Sequence, residues 1–198
     1  VRDVVMLRCG TLYNAWDVNT GLSDAHFSRI VSKDAQRGLL KFRGPVRDVV
    51  VEHFTILVTT VNTDPHKVPA GIALAGKTVS DVGENFLFRH GRVDGLRSRH
   101  NAFLNGDGVA TETGYRNVRL ENITSSNNSD AGFDLKSAST TGANLIASGN
   151  HNNFKLWYGQ NFDGPITSVD PSEESGKGAA HILLIGAPDN SSTFRFSH

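Results

Sequence analysis

The sequence predicts an all-β chain of stacked coils, and three observations carry that prediction. One short pattern returns three times: GVATETG (108–114), GFDLKSA (132–138) and NFKLWYG (153–159). Each has apolar residues at alternate positions, Val109, then Phe133 with Leu135, then Phe154 with Leu156, bracketed by Gly, Asn and Asp, which is strand punctuated by turns. The first apolar positions lie 24 and then 21 residues apart. That period suits one coil of a solenoid and is too short for a strand-helix-strand unit of about 30 residues.

Composition is consistent with one such domain spanning 1–198. The 198 residues suffice for a single core, and nothing in their make-up calls for a second. Twenty acidic and twenty basic residues cancel, so no global field draws the chain to nucleic acid. The longest apolar runs, such as HILLIGAP (181–188), fall short of the roughly 20 residues of a membrane helix. The single cysteine, Cys9, has no partner for an internal disulfide and reads as a small buried hydrophobe. The chain opens VRDVVMLRCG, with neither an initiator Met nor a secretion signal, which reads as a processed or trimmed end of a longer chain. Abundant Gly, Asn, Ser and Thr suit a turn-rich β protein of the exported kind, extracellular, cell-surface or periplasmic.

In chain order, residues 1–21 read as a partial first coil or cap, with Tyr13 and Trp16 to cover the end. Ser23 to Ala35 fits either a helix capped by Ser23 or a strand through Phe27, Ile30 and Val31. GLLKFRG (38–44) and VRDVVVEHFTILV (46–58) read as two strands with a corner at Pro45. A polar excursion over 59–70 precedes the strand GIALAGK (71–77). Leu40, Ile72, Val109, Phe133, Phe154 and Ile182 are then equivalent positions of successive coils. YRNVRLENITSSNN (115–128) and TTGANLIASGN (140–150) supply second strands. Asn122, Asn127, Asn128 and Asn150 sit where a turn needs left-handed backbone or a side-chain ladder. Residues 160–178 read as a loop excursion before the core strand HILLIGAP.

The residues NGDGVATETGYRNVRLENITSSNNSDAGFDLKSA (105–138) and GNHNNFKLWYG (149–159), with weaker matches at 38–58 and 71–82, resemble the pectin-lyase-like superfamily. The resemblance covers about two thirds of the chain. It implies a right-handed parallel β-helix of about six to seven coils, three sheets per coil, and a polysaccharide laid along the outer face of the first sheet. A fold of this kind hosts many functions, so the site is argued from its own residues.

With Val109, Phe133, Leu135, Phe154 and Leu156 inward, alternation turns Glu112, Asp134, Lys136, Lys155 and Trp157 outward. Glu112, Lys136 and Trp157 form one row and Ala110, Asp134 and Lys155 its neighbour; Lys41 and Arg43 join these rows two coils earlier. An aromatic platform beside charged groups suits a sugar ring, so Trp157, Lys155, Arg43 and Lys41 are the candidate substrate-binding residues. The same charges could equally be solvated residues pairing across coils.

Three chemistries compete. Hydrolysis needs two carboxylates, and Asp107, Asp130 and His151 resemble the polygalacturonase order of motifs. The departures are Ala131 in place of the second Asp, no glycine after His151, and Asp130 and His151 one residue earlier than Asp107 relative to their strands. Elimination or epimerisation of a uronic acid needs a cation and a base, with Lys136 as base or charge stabiliser and Glu112 or Asp134 as acid, base or metal ligand. TDPH (63–66) is similar to a motif of alginate epimerases but lies in a Pro-flanked loop. No metal-ligand set is assigned; Ca²⁺ is the ion that the lyase likeness admits. The third reading is a non-catalytic glycan-binding or structural module of a larger surface protein or fibre. The basic stretch from Arg89 to His100 reads first as a solvated sheet face, and His90 with His100 lacks a metal-binding spacing.

Overall fold

The structure, a computed structural model, describes residues 1–8, 10–14, 21–35, 37–64, 68–76, 82–100, 103–158, 160–173, 178–186 and 194–196. Backbone alone is described at Arg99, His100, Phe103, Leu104, Ala138 and 194–196. Cys9, Trp16 and the His66 of TDPH lie outside the described residues, as do the side chains of Arg99 and His100. Strands account for all the regular structure, and no described residue is helical.

In chain order the strands are β1 (Arg2–Leu7), β2 (Tyr13–Asn14), β3 (Leu22–Lys33), β4 (Leu40–Phe42), β5 (Val46–Leu57), β6 (Val61–Asn62) and β7 (Ala70–Leu74). There follow β8 (Gly83–Asp94), β9 (Arg97–His100), β10 (Phe103–Asn105), β11 (Asp107–Thr111), β12 (Tyr115–Ser126) and β13 (Ala131–Leu135). The last are β14 (Ala138–Ser148), β15 (Asn152–Trp157), β16 (Gln160–Phe162), β17 (Ile166–Val169), β18 (Ala180–Ile185) and β19 (Phe194–Phe196).

The chain alternates between two parallel sheets and returns to each one strand further along. A nine-stranded sheet runs β1-β3-β5-β8-β12-β14-β16-β19, with β17 also on β14; a seven-stranded sheet runs β18-β15-β13-β11-β7-β4-β2. A small third sheet, β10-β9-β6, is built from excursions between them. Leu40, Ile72, Val109, Phe133, Phe154 and Ile182 stand in one register row of the seven-stranded sheet, the equivalence read from the sequence. The rings of Phe133 and Phe154 stack there at 5.1 Å. Tyr13, Phe27 and Phe42 close the core at the N-terminal end.

The long strands carry a regular interruption. Asp24, Asp48, Asn85, Asn117 and Ser139 all have φ between 53° and 64°, and Arg29, His53, His90, Asn122 and Asn144 lie between 51° and 55°. Each group forms one row across β3, β5, β8, β12 and β14. The left-handed residue adds one step to the alternation, so inward positions in β5 fall at Val46, Val49, Val51, Phe54 and Ile56. Left-handed backbone costs an ordinary side chain about 1–2 kcal/mol. Within the rows that cost is offset where amides bond along the stack: Asn85 donates to Asp48 at 2.9 Å and Asn144 to Asn122 at 3.0 Å.

A second amide ladder lies inside. Asn128 donates its backbone N–H to Asn150 Oδ1 at 3.0 Å, and its own Oδ1 accepts the N–H of Leu96 at 3.0 Å. Both amides are buried, and their bonds satisfy backbone groups where the chain leaves the nine-stranded sheet.

One open reading is resolved and one segment differs from its sequence reading. Ser23 to Ala35 is not helical: Leu22–Lys33 is the strand β3. Its inward Phe27 and Ile30 are three apart because Arg29 is left-handed, and that spacing imitates a helix. Residues 160–178 are not all loop, since β16 and β17 each pair with β14.

Candidate functional site

β11, β13 and β15 are neighbours in the seven-stranded sheet, and their outward side chains converge. Ala110, Asp134 and Lys155 share a register row, as the alternation requires. Asp134 is the hub. It is 4% exposed; its Oδ1 accepts the indole N–H of Trp157 at 2.7 Å, and its Oδ2 lies 3.2 Å from Lys136 Nζ and 4.0 Å from Lys155 Nζ.

Each lysine bridges two carboxylates. Lys136 Nζ donates to Glu112 Oε1 at 2.9 Å, and Lys155 Nζ to Asp130 Oδ2 at 3.1 Å. The two ammonium groups lie 5.5 and 6.0 Å from the Trp157 ring centroid, within cation–π range. Burial disfavours the charge on Lys136, yet Asp134 and Glu112 outweigh it and hold its pKa above the ordinary lysine value. Lys155 is also raised: burial opposes its charge, and Asp134, Asp130 and Asp107 prevail. Both lysines are therefore ammonium at neutral pH.

Asp107 behaves in the opposite way. Its carboxyl is buried at the start of β11, where Oδ1 accepts the N–H of Ala131 at 3.0 Å. Burial, followed by the charges of Asp130 and Asp134, pushes its pKa well above the usual carboxylate range, against the opposing pull of Lys155 and the Ala131 N–H. A carboxyl whose pKa is raised thus sits among lysine-paired carboxylates.

The remaining candidates are more dispersed. His151 is buried one position before Asn152, the residue in register with Ala131, so it follows Asp130 in the stack; its Nδ1 has no hydrogen-bond partner. Lys41 shares the Asp134 row but stands beyond Ala73 and Ala110, roughly 14 Å away at about 4.8 Å per strand. Arg43 follows β4, which stands four strands from the β15 of Lys155. The structure thus groups Glu112, Asp134, Lys136, Lys155 and Trp157 with Asp107, and leaves Lys41 and Arg43 apart. The contact missed in the sequence is Lys155 with Asp130, a diagonal pair that alternation within one row does not reveal.

The basic stretch is paired both across strands and along β8. Arg89 donates to Glu52 at 2.6 Å and Arg92 to Asp94 at 2.7 Å, the solvated sheet face. Among the described residues no group of three or more His, Cys, Asp or Glu is arranged to hold a metal ion, and the carboxylates of the charged row already take lysine ammonium groups. That donor set does not fit Ca²⁺. A cleft of about 730 Å³ lies elsewhere, where β3, β5 and β8 begin, lined by Leu22, Val46, Gly83 and Arg116. Its charged walls include Arg116 and Glu84, already paired at 2.7 Å, so the chemistry is assigned to the row on β11, β13 and β15. Comparison with family models, curated proteins and solved structures finds no match to the chain. No helix is long and apolar enough to cross a membrane among the described residues.

Proposed function

We propose that this chain is a right-handed parallel β-helix of the pectin-lyase-like kind that acts on an extracellular polysaccharide, by hydrolysis, along the outer face of the seven-stranded sheet. The parallel sheets and the row from Leu40 to Ile182 support the fold half of the reading. The observation that carries the chemical half is the Asp107 carboxyl, buried beside Asp130 and Asp134, with its pKa pushed up by that burial and by their charges. Two carboxyl groups kept in different protonation states are what glycosidic hydrolysis requires. Asp107 donates its proton to the leaving glycosidic oxygen. Asp130 takes a proton from the water whose oxygen bonds to the anomeric carbon. Lys136 and Lys155, held charged, bind acidic groups of the glycan, and half-buried Trp157 offers the edge of an aromatic platform. Elimination has less support, because a lysine whose pKa is raised is a poor base.

A second reading is favoured by one observation: both lysines and the indole N–H are already engaged by carboxylates of the same face. Such a face suits a non-catalytic glycan-binding or structural module. The deciding experiment is a turnover assay on acidic and neutral polysaccharides, with and without Ca²⁺, reading new reducing ends and unsaturated products together. Reducing ends alone, abolished by Asp107→Asn, support hydrolysis. Unsaturated products transfer the reading to elimination. Binding without either product leaves the module.

A further inference from the structure

The nine-stranded sheet carries a feature that the glycan reading does not use. His53 and His90 are successive rungs of the second left-handed row, on β5 and β8, and both are exposed. Their imidazole rings stack with centroids 5.0 Å apart and planes 12° from parallel. Among the described residues, no hydrogen bond or ion pair engages either ring.

We propose that His53 and His90 form a two-imidazole site for a borderline transition-metal ion of the Zn²⁺ or Ni²⁺ class, with water completing the coordination. Neutral imidazole is a preferred ligand of these ions. At metal–nitrogen bonds of about 2.0–2.1 Å in tetrahedral geometry, two ligating nitrogens stand about 3.3 Å apart; because imidazole lone pairs lie in the ring plane, the two exposed rings rotate out of their near-parallel stack until those planes converge on the ion. The left-handed backbone fixes the two attachment points one strand apart, so the ion has only side-chain torsions to order. The surrounding guanidinium groups do not repel a cation strongly, because each has a carboxylate: Arg29 with Asp3, Arg89 with Glu52, Arg92 with Asp94. The site has two protein ligands, is exchangeable, and faces away from the charged row of the seven-stranded sheet.

The test is calorimetric titration of the untagged full chain with Ni²⁺, and separately with Zn²⁺. The expected result is saturable binding of one ion per chain. His53→Asn and His90→Asn keep the left-handed backbone, since the next rungs of the same row are Asn122 and Asn144. Each is expected to weaken binding at least about tenfold, as loss of a ligand costs no less than loss of its supporting shell. His181→Asn, on β18, is the control and is expected to bind as the unaltered chain does. Absence of saturable binding, or binding unchanged in both His53→Asn and His90→Asn, overturns the proposal.

Discussion

Trp157 donates its indole N–H to Asp134, one strand earlier in the seven-stranded sheet, at 2.7 Å. The acceptor is also the counter-charge of Lys136. Removing it leaves an indole N–H and two partly buried ammonium groups without their shared acceptor. Asp134→Ala is expected to cost about 2–4 kcal/mol, toward the lower end for a broken buried pair because the lysines keep some solvent. Urea denaturation followed by tryptophan fluorescence measures it. Asp134→Asn, which keeps an acceptor for the indole, is expected to cost less.

Asp107 makes stability and activity respond to pH in a defined direction. Its folded pKa is raised above the unfolded value, chiefly by burial and then by Asp130 and Asp134. The native chain therefore holds a proton that the unfolded chain releases, and stability falls as pH rises from the ordinary carboxylate range up through the raised folded pKa. Asp107→Asn is expected to stabilise the protein at neutral pH, with the gain vanishing in acid. If the hydrolytic reading holds, the same substitution abolishes turnover. Thermal denaturation against pH, run beside the turnover assay, checks both.

Asn122 tests the left-handed rows. Its φ of 53° suits Asn or Gly, so Asn122→Gly is expected to change stability by less than about 1 kcal/mol. Asn122→Val adds a β-branched side chain there and is expected to cost at least about 2 kcal/mol. Equilibrium denaturation of the pair separates backbone conformation from the amide bond that Asn144 donates.

The two interior ladders differ in kind. Phe154→Ala removes a ring stacked on Phe133 and is expected to cost about 3–5 kcal/mol. Asn150→Ala strands the N–H of Asn128 and is expected to cost about 1–3 kcal/mol for each group left unpaired. Hydrogen exchange at Asn128 is expected to accelerate in Asn150→Ala.

The seven-stranded sheet was the more legible half of the chain. Its strands alternate without interruption, so Val109, Phe133 and Phe154 could be aligned by eye, and the outward row of Asp134 and Lys155 followed from them. The nine-stranded sheet was harder to read because a left-handed residue shifts the alternation. Asn122 and Asn127 betray that conformation by residue type, whereas Arg29 and His53 occupy it with no such signal. The ambiguity of Ser23 to Ala35 has the same origin. At the site, alternation indicated which side chains face out but not diagonal pairing or depth, so neither the bond from Lys155 to Asp130 nor the burial that raises the Asp107 pKa could be read from it.

The left-handed rows recur at five-residue intervals, as at Asn117, Asn122 and Asn127, which fixes how much chain each pass through the nine-stranded sheet takes. From β3 to β14, length therefore changes only at the two borders of the seven-stranded sheet. One border is crossed by 43–45, 75–82 and 112–114, the other by 58–69, 95–106 and 127–130. Insertions arising over evolution would accumulate as banks on either side of the face bearing Glu112, Asp134 and Lys136. What that face admits could then diversify while the stack beneath it stays unchanged.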